Sequence, residues 1–437
     1  MLKRIFKPSQ FKKNIISGSF IYGLNIIIVL ISYPIYIKYL GFELFSIWSA
    51  LSVVIAFAKM GEFGISKAII VYVSKAQEGE NEIRKIIYNA FYILTFVSII
   101  ILLLLVLLKS SIVGILNIPP DFVNESISII PLLGISIILF LFYDMFSGVI
   151  AGKNRLDVVN ILLLINNIIK VIISVVLLAM GLSLMAIIYS IIITNLLLIF
   201  VQIFLIIFKF KIPIYRPAKL EKIYLSKLIG YGSSIMGMQF FNMLSVPLVK
   251  VILSNTIGIE SVGIFELAQR SSYSIRTLFE KGLFAIMPDI SILSSQDKEN
   301  ANKRVKARVS KIFKALLIFS VPFFLIISAL APFWLKLWLG KSYSLTILYG
   351  YWLLQPGIIV GLLILPYYYA LLGTYNQRYC LYETILRAIV TVLLCSLFFV
   401  LELNIYYSFA FISMSVVISN MLIIWGYRKQ IIMKQGL

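Results

Sequence analysis

Apolar segments of about 20 residues or more recur from one end of this 437-residue chain to the other, and no other feature restricts its folding as much. Crossing ~30 Å of hydrocarbon takes about 20 residues of helix, and backbone left unpaired in lipid is too costly for coil. The expected spans are 15–37, 44–66, 88–108, 127–150, 158–180 and 184–208, then 228–253, 262–290, 313–335, 346–372, 381–400 and 405–427. Between the sixth and seventh lies the polar run KFKIPIYRPAKLEKIYLSK. It sets Lys209, Lys211, Arg216, Lys219, Lys222 and Lys227 against the single acid Glu221, and Pro213 and Pro217 oppose a continuous helix through it. The expected architecture is an all-α integral membrane protein of about 12 transmembrane helices: a six-helix lobe over 1–208, a basic hinge loop over 209–227, and a second six-helix lobe over 228–437. With 61% hydrophobic and 13% charged residues, neither flank has the make-up of a soluble domain. The ten-residue alternation of an outer-membrane barrel is absent.

The net charge of +21 would suggest nucleic acid in a soluble protein, but here the bases gather in alternate connections. One side of the expected membrane receives 28 Lys and Arg; the other receives Lys38, Lys109, Lys336 and Lys341. That bias places both termini and the central loop in the cytoplasm, and no nucleic-acid partner is expected. Trp334 and Trp338, beside Lys336 and Lys341, fit an aromatic belt at the opposite interface. The connections on that side are short, so no folded domain is expected there. The bases at Lys3, Arg4, Lys7, Lys12 and Lys13 precede an apolar run with no small-residue cleavage site, as in a retained first span.

The two halves echo one another. Tyr39-Leu40-Gly41-Phe42-Glu43, then Phe45-Ser46-Ile47, is answered 217 positions later by Thr256-Ile257-Gly258-Ile259-Glu260, then Val262-Gly263-Ile264. Pro34 is matched by Pro247, and Gly152 with Arg155 by Gly373 with Arg378. Six helices separate the copies, so both face the membrane in the same sense, a parallel internal repeat known among transporters.

Several chemistries are excluded. The chain has no histidine, which rules out histidine proton relays, HExxH zinc sites and Ser-His-Asp catalysis. Cys380 and Cys395 fall on one expected helix about 22 Å apart, beyond disulfide reach. Gly340-Lys341-Ser342 resembles the end of a P-loop, but Leu335 stands where the first glycine belongs and no strand precedes it.

The candidate site residues are the charges inside the spans. In the eighth span, Glu266, Arg270, Tyr273, Thr277, Glu280 and Lys281 fall within a sector of about 100°, which cannot face acyl chains. Arg270 has Glu266 one turn away as a neutralising partner, and a substrate contact and a structural ion pair are both open to it. Glu280 and Lys281, near the span end, read as snorkelling. Lys59 and Glu62 stand at i, i+3 in the second span, which holds in the first lobe the place of the eighth in the second. Lys59 and Arg270 could therefore face one another across a cleft. Asn166, Asn167, Lys170 and Ser174 make a polar patch deep in the fifth span, open to function or to helix association. Lys250, Asp144, and Glu383 with Arg387 lie nearer span ends, where snorkelling or capping is expected. The buried bases, Arg276 among them, suit an anionic ligand, with phosphate the obvious candidate. Glu62, Asp144, Glu266 and Glu383 are the acids able to exchange H⁺ or bind Na⁺ as a coupling ion. No other cofactor is expected.

These residues carry a family resemblance. Tyr39-Leu40-Gly41 with Glu43 and Trp48, Gly61 to Gly64, Gly263-Ile264-Phe265 with Leu267-Ala268 and Arg270, and Gly148 to Asn160 resemble the polysaccharide-transport branch of the multidrug/oligosaccharidyl-lipid/polysaccharide (MOP) flippase superfamily. The nearest likeness is to O-antigen and capsule repeat-unit flippases. The resemblance implies two six-helix lobes in a V around a central cavity, in the bacterial cytoplasmic membrane. It implies a non-enzymatic flippase that moves an undecaprenyl-diphosphate-linked oligosaccharide to the outer leaflet by alternating access, among membrane lipids and beside polymerase and chain-length machinery. The cavity bases that receive diphosphate and sugar would be Lys59, Arg270, Lys170 and Lys250. The first span offers Asn25 and no interior base. A cation-coupled multidrug antiporter of the same superfamily and a membrane glycan polymerase or ligase are the alternatives.

Overall fold

The computed structural model describes residues 8–62, 64–76, 79–283, 290, 301–374 and 376–432. Among them are helices and no strands, as expected of a chain whose backbone has to satisfy itself in lipid. The helices are α1 (Pro8–Leu40), α2 (Phe42–Lys59), α3 (Ile65–Lys75), α4 (Glu80–Ile115), α5 (Val123–Gly152), α6 (Leu156–Ala179) and α7 (Ser183–Phe204). They continue with α8 (Lys222–Thr256), α9 (Ile259–Leu283), α10 (Ala301–Ala329), α11 (Ala331–Leu339), α12 (Leu345–Gly373), α13 (Arg378–Ser396) and α14 (Tyr406–Tyr427). Ten helices among the described residues are long and apolar enough to cross a membrane, which makes the chain a multi-pass membrane protein. The expected seventh and eighth spans stand outside the ten. The described apolar part of α8 is Phe240–Thr256, and α9 is interrupted by Glu266, Arg270, Arg276 and Glu280.

Two compact units make up the chain, Met1–Phe240 and Phe241–Leu437, and the boundary falls within α8. In the first unit α5 is the central element and packs on α2, α3, α4, α6 and α7, while α1 packs on α6. Its inward residues include Ile129, Leu133, Ile137, Leu141 and Met145. Large apolar side chains are exposed along α4, among them Phe96, Leu103 and Leu107, as a lipid-facing surface requires. In the second unit α12 is central and packs on α9, α10 and α14, with α13 against α14. Tyr351 on α12 is fully buried and meets Trp334 edge-on at 5.4 Å. The Trp334 indole N–H donates to the Ile327 carbonyl at 3.1 Å.

The matched sequence segments occupy matched corners. Gly41 joins α1 to α2 at φ +81°, and Gly258 joins α8 to α9 at φ +116°. No neighbouring atom restricts either site, so the backbone angle itself selects glycine there. Pro34 lies within α1 and Pro247 within α8.

Elsewhere the helices depart from the expected spans. α2 ends at Lys59 in a 3-10 turn, Met60–Glu62, and α3 follows where a connection was expected. α4 starts at Glu80, whose carboxylate and that of Glu82 suit a helix N-terminus. The basic segment Lys303–Lys314 is the first part of α10, which ends at Ala329, before Pro332 in the first turn of α11. Phe63, Lys3, Arg4, Lys7 and the side chain of Lys281 lie outside the described residues.

The basic loop between α7 and α8 is fastened to α4. Tyr88 donates to the Ile214 carbonyl at 2.6 Å and Tyr92 to that of Ala218 at 3.1 Å. The Asn89 carbonyl oxygen accepts from the Glu221 amide at 2.8 Å, and Lys85 pairs with Glu221 at 3.1 Å. Within the loop, Ile212 and Ala218 are themselves buried.

Candidate functional site

Charged side chains inside the spans fall into four groups, each within one unit. In the first unit, the end of α2 brings Lys59 over the ring of Phe140 on α5, its ammonium 4.1 Å from the centroid. Glu62, on the turn that follows, accepts from the Ser66 amide at 3.3 Å and so caps the start of α3. Asp144, half-buried on α5, lies close to Glu62, Ser66 and Lys59. Three of the sequence candidates, Lys59, Glu62 and Asp144, therefore meet where α2, α3 and α5 converge.

Elsewhere in the same unit, Lys170 donates to the Asn167 carbonyl oxygen at 2.7 Å, and Asn167 donates to Asn25 of α1 at 2.8 Å. Asn166 reaches Asn195 of α7 at 3.0 Å, and Tyr36 meets Ser174 at 3.1 Å. The polar patch on α6 thus ties α1, α6 and α7 together. Its one charge sits half-buried among amides.

In the second unit, Glu266 takes a base on each carboxylate oxygen. Lys250 of α8 approaches one at 2.7 Å, and Arg270, one turn along α9, approaches the other at 3.0 Å. The Lys250 side chain is only 4% exposed, whereas that of Arg270 is 44% exposed. Lys250 is thus a fully buried partner of Glu266, unlike the snorkelling expected from its position. The triad of two bases and one acid carries a formal excess of +1, presented on its open side by Arg270.

The fourth group lines a cavity of about 420 Å³ formed within the second unit. On α9, Arg276 lies 4.0 Å from Glu280. On α13, Arg387 lies 3.6 Å from Glu383, whose carboxylate also accepts from Ser419 of α14 at 2.8 Å. Arg387 further donates to the Asn242 side chain of α8. Glu383 is 3% exposed and doubly held, so capping or snorkelling does not describe it either. In sequence Arg276 and Arg387 stand out only as semi-buried bases; their convergence on one cavity depends on the packing of α9 and α13 around α12 and α14.

Among the described residues no three His, Cys, Asp or Glu side chains are grouped to hold a metal ion. Cys380 and Cys395 are free and buried on α13.

The sequence model of the family described as polysaccharide biosynthesis protein matches residues 39–347, which take in all four groups except Asn25 and Tyr36 of the α6 patch and, at the cavity, Glu383, Arg387 and the α12 and α14 walls. No curated protein sequence matches the chain. Solved structures share its fold. An inward-facing multidrug resistance MATE family transporter of the MOP superfamily gives a TM-score of 0.79 at 13% identity, over 94% of this chain and 94% of that one. The lipid II flippase MurJ, in an inward closed conformation, gives 0.77 at 13% identity, over 94% of this chain and 87% of that one. A MOP superfamily transporter from Pyrococcus furiosus, described by a reversed binding-pocket polarity that suggests a different function, gives 0.70 at 14% identity, over 95% of each chain. At these identities the likeness is one of fold.

Proposed function

Because the chain belongs to the family of polysaccharide biosynthesis proteins, we propose that it is a flippase for an undecaprenyl-diphosphate-linked oligosaccharide, an O-antigen or capsule repeat unit. It carries this lipid from the inner to the outer leaflet of the bacterial cytoplasmic membrane. The coarser statement, a multi-pass membrane protein with the fold of MOP superfamily transporters, follows from its helices and its structural neighbours. Solved transporters and flippases share that fold, in keeping with a non-enzymatic role.

The observation that carries the substrate reading is the Lys250–Glu266–Arg270 triad. A charge at the centre of a bilayer costs about 2.5–3.5 kcal/mol on insertion scales, so charges held inside an apolar lobe point to a role beyond packing, and a half-exposed guanidinium suits a ligand of opposite sign. A diphosphate supplies it, and the planar fork of Arg270 can grip two phosphate oxygens at once. Lys250 meets Glu266 from its buried side and Arg270 meets it from the more exposed side, where the guanidinium can also reach a ligand. The polyprenyl tail stays in lipid while the headgroup is carried by alternating access. Lys59 and Lys170 are further bases for the diphosphate or the first sugars. Direction comes either from polymerisation of the product outside or from H⁺ or Na⁺ exchange at an acid, with Glu62 beside Asp144 the best-placed pair.

The test is to delete the gene in its own host and probe spheroplasts with a membrane-impermeant glycan reagent. Cytoplasmic-side accumulation of the lipid-linked unit, reversed by the wild-type gene, is expected. Undisturbed export and normal surface glycan would refute the substrate reading, and resistance assays in a transporter-deleted host would then test drug antiport.

A further inference from the structure

The cavity of the second unit differs in charge from the triad. Its two arginines are each matched by a glutamate one turn away, Arg276 by Glu280 on α9 and Arg387 by Glu383 on α13. The net formal charge of these four groups is zero. A diphosphate entering here would meet two carboxylates along with two guanidiniums, so the cavity does not select an anion as the triad does.

What it offers is hydrogen bonding of both senses in a small volume. Guanidiniums only donate, ionised carboxylates only accept, and the amides of Asn242 and Asn420 do both. Sugar hydroxyls, each a donor and an acceptor, match such a mixture. The rings of Tyr368 and Tyr369, edge to face at 5.9 Å, and the side chains of Leu365 and Leu372 add apolar surface for the C–H faces of a pyranose. The volume of about 420 Å³ lies in the range of small-ligand pockets, roughly 300–1,000 Å³.

Arg276 is incompletely satisfied by the protein, its guanidinium lying over the Tyr273 ring at 5.6 Å. Its Nε is buried without a hydrogen-bond partner, and its contact with Glu280 is at the outer limit of an ion pair. A buried donor left without a partner is costly, and a ligand oxygen would recover that cost. The guanidinium lies on the backbone of Gly361, where a Cβ would stand 3.3 Å from it. Arg276 is six residues from Arg270, about 9 Å along the α9 axis and about 120° around it.

We infer that this cavity reads the sugar of the lipid-linked glycan, and that the sugar residue it takes is uncharged. The inference rests on the flippase reading above, with the triad holding the diphosphate and the cavity holding the glycan.

The test uses the full chain in nanodiscs and two probes, undecaprenyl diphosphate alone and the lipid-linked glycan extracted from the deletion host. Wild-type protein should bind the glycan-bearing lipid at least tenfold more tightly. Glu280→Gln, which keeps shape and removes one charged acceptor, and Gly361→Ala, which displaces the Arg276 guanidinium, should each erase most of that preference. Affinity for the bare diphosphate should stay within about twofold. Equal affinity for the two probes, or parallel loss of both in the variants, would overturn the sugar site and leave the flippase reading standing. Inorganic diphosphate that competes more strongly after Glu280→Gln would also overturn it, because the cavity would then be an anion site. If wild-type protein binds neither probe, the flippase reading falls and this inference falls with it.

Discussion

Arg270→Ala separates the two roles open to that residue. The substitution removes the more exposed half of the triad, an i, i+4 ion pair at 3.0 Å whose arginine side chain is 44% exposed. Such pairs contribute about 0.3–0.5 kcal/mol, and solvent screening lowers this further. Glu266 keeps its buried partner Lys250 at 2.7 Å, so no lone charge is stranded. The expected loss of stability is below about 1 kcal/mol, which for a chain of this size shifts the melting temperature by no more than about 2–4 °C. The formal charge of the triad falls from +1 to zero, and with it the attraction for a diphosphate. Export should fail while the protein accumulates normally in the membrane, and Arg270→Lys should restore part of the activity because charge returns without the fork. Lys250→Ala is the contrast, since removing one partner of a buried pair costs about 3–5 kcal/mol and should lower the amount of folded protein. The measurements are surface glycan labelling, quantitative immunoblotting of membranes and thermal unfolding in detergent. Full export by Arg270→Ala would refute the assignment, and poor accumulation would show that the pair is structural.

Lys59→Ala should abolish export at normal protein level, and Phe140→Leu, which removes the ring under its ammonium, should weaken export in the same complementation assay. Gly258→Ala forces a side chain onto φ +116° and should cost about 1–2 kcal/mol or more, read as lost thermal stability in detergent; an unchanged melting temperature would contradict the corner geometry. Tyr88→Phe with Tyr92→Phe should loosen the central loop by about 1 kcal/mol per lost hydrogen bond and speed tryptic cleavage at Lys211 and Lys219. Cys380 and Cys395 should resist maleimide in the folded protein and react on denaturation, as buried thiols do.

The membrane character and the long apolar helices were legible because lipid allows few backbone solutions, and an apolar run then specifies a helix almost by itself. The corners at Gly41 and Gly258 were legible as matched segments, since a positive φ leaves glycine as its mark. Helix ends were harder to read. The stop at Lys59 and the separate helix Ile65–Lys75 depend on Glu62 capping Ser66 and on α3 packing against α5, contacts that hydropathy does not encode. Of the candidate site, the Arg270–Glu266 spacing was readable from helical period. The arrival of Lys250 at the same carboxylate from another helix was not, because burial at a span end looks like snorkelling until its partner is seen. The pairing of Arg276 and Arg387 around one cavity was invisible for the same reason: four helices distant in sequence have to pack before it exists.

The fastening of the central loop to α4 bears on which substitutions the protein can absorb. Tyr88 and Tyr92 hold the loop by its main-chain carbonyls, and Asn89 holds it by the amide of Glu221. Main-chain atoms are common to all residues, so the loop can exchange most of its outward side chains and remain held. Tyr88, Asn89 and Tyr92 have no such freedom, because each supplies the specific hydroxyl or amide that makes the bond. A mutational scan should therefore find the tolerance inverted from first expectation, with a permissive loop and an unforgiving stretch of membrane helix beneath it.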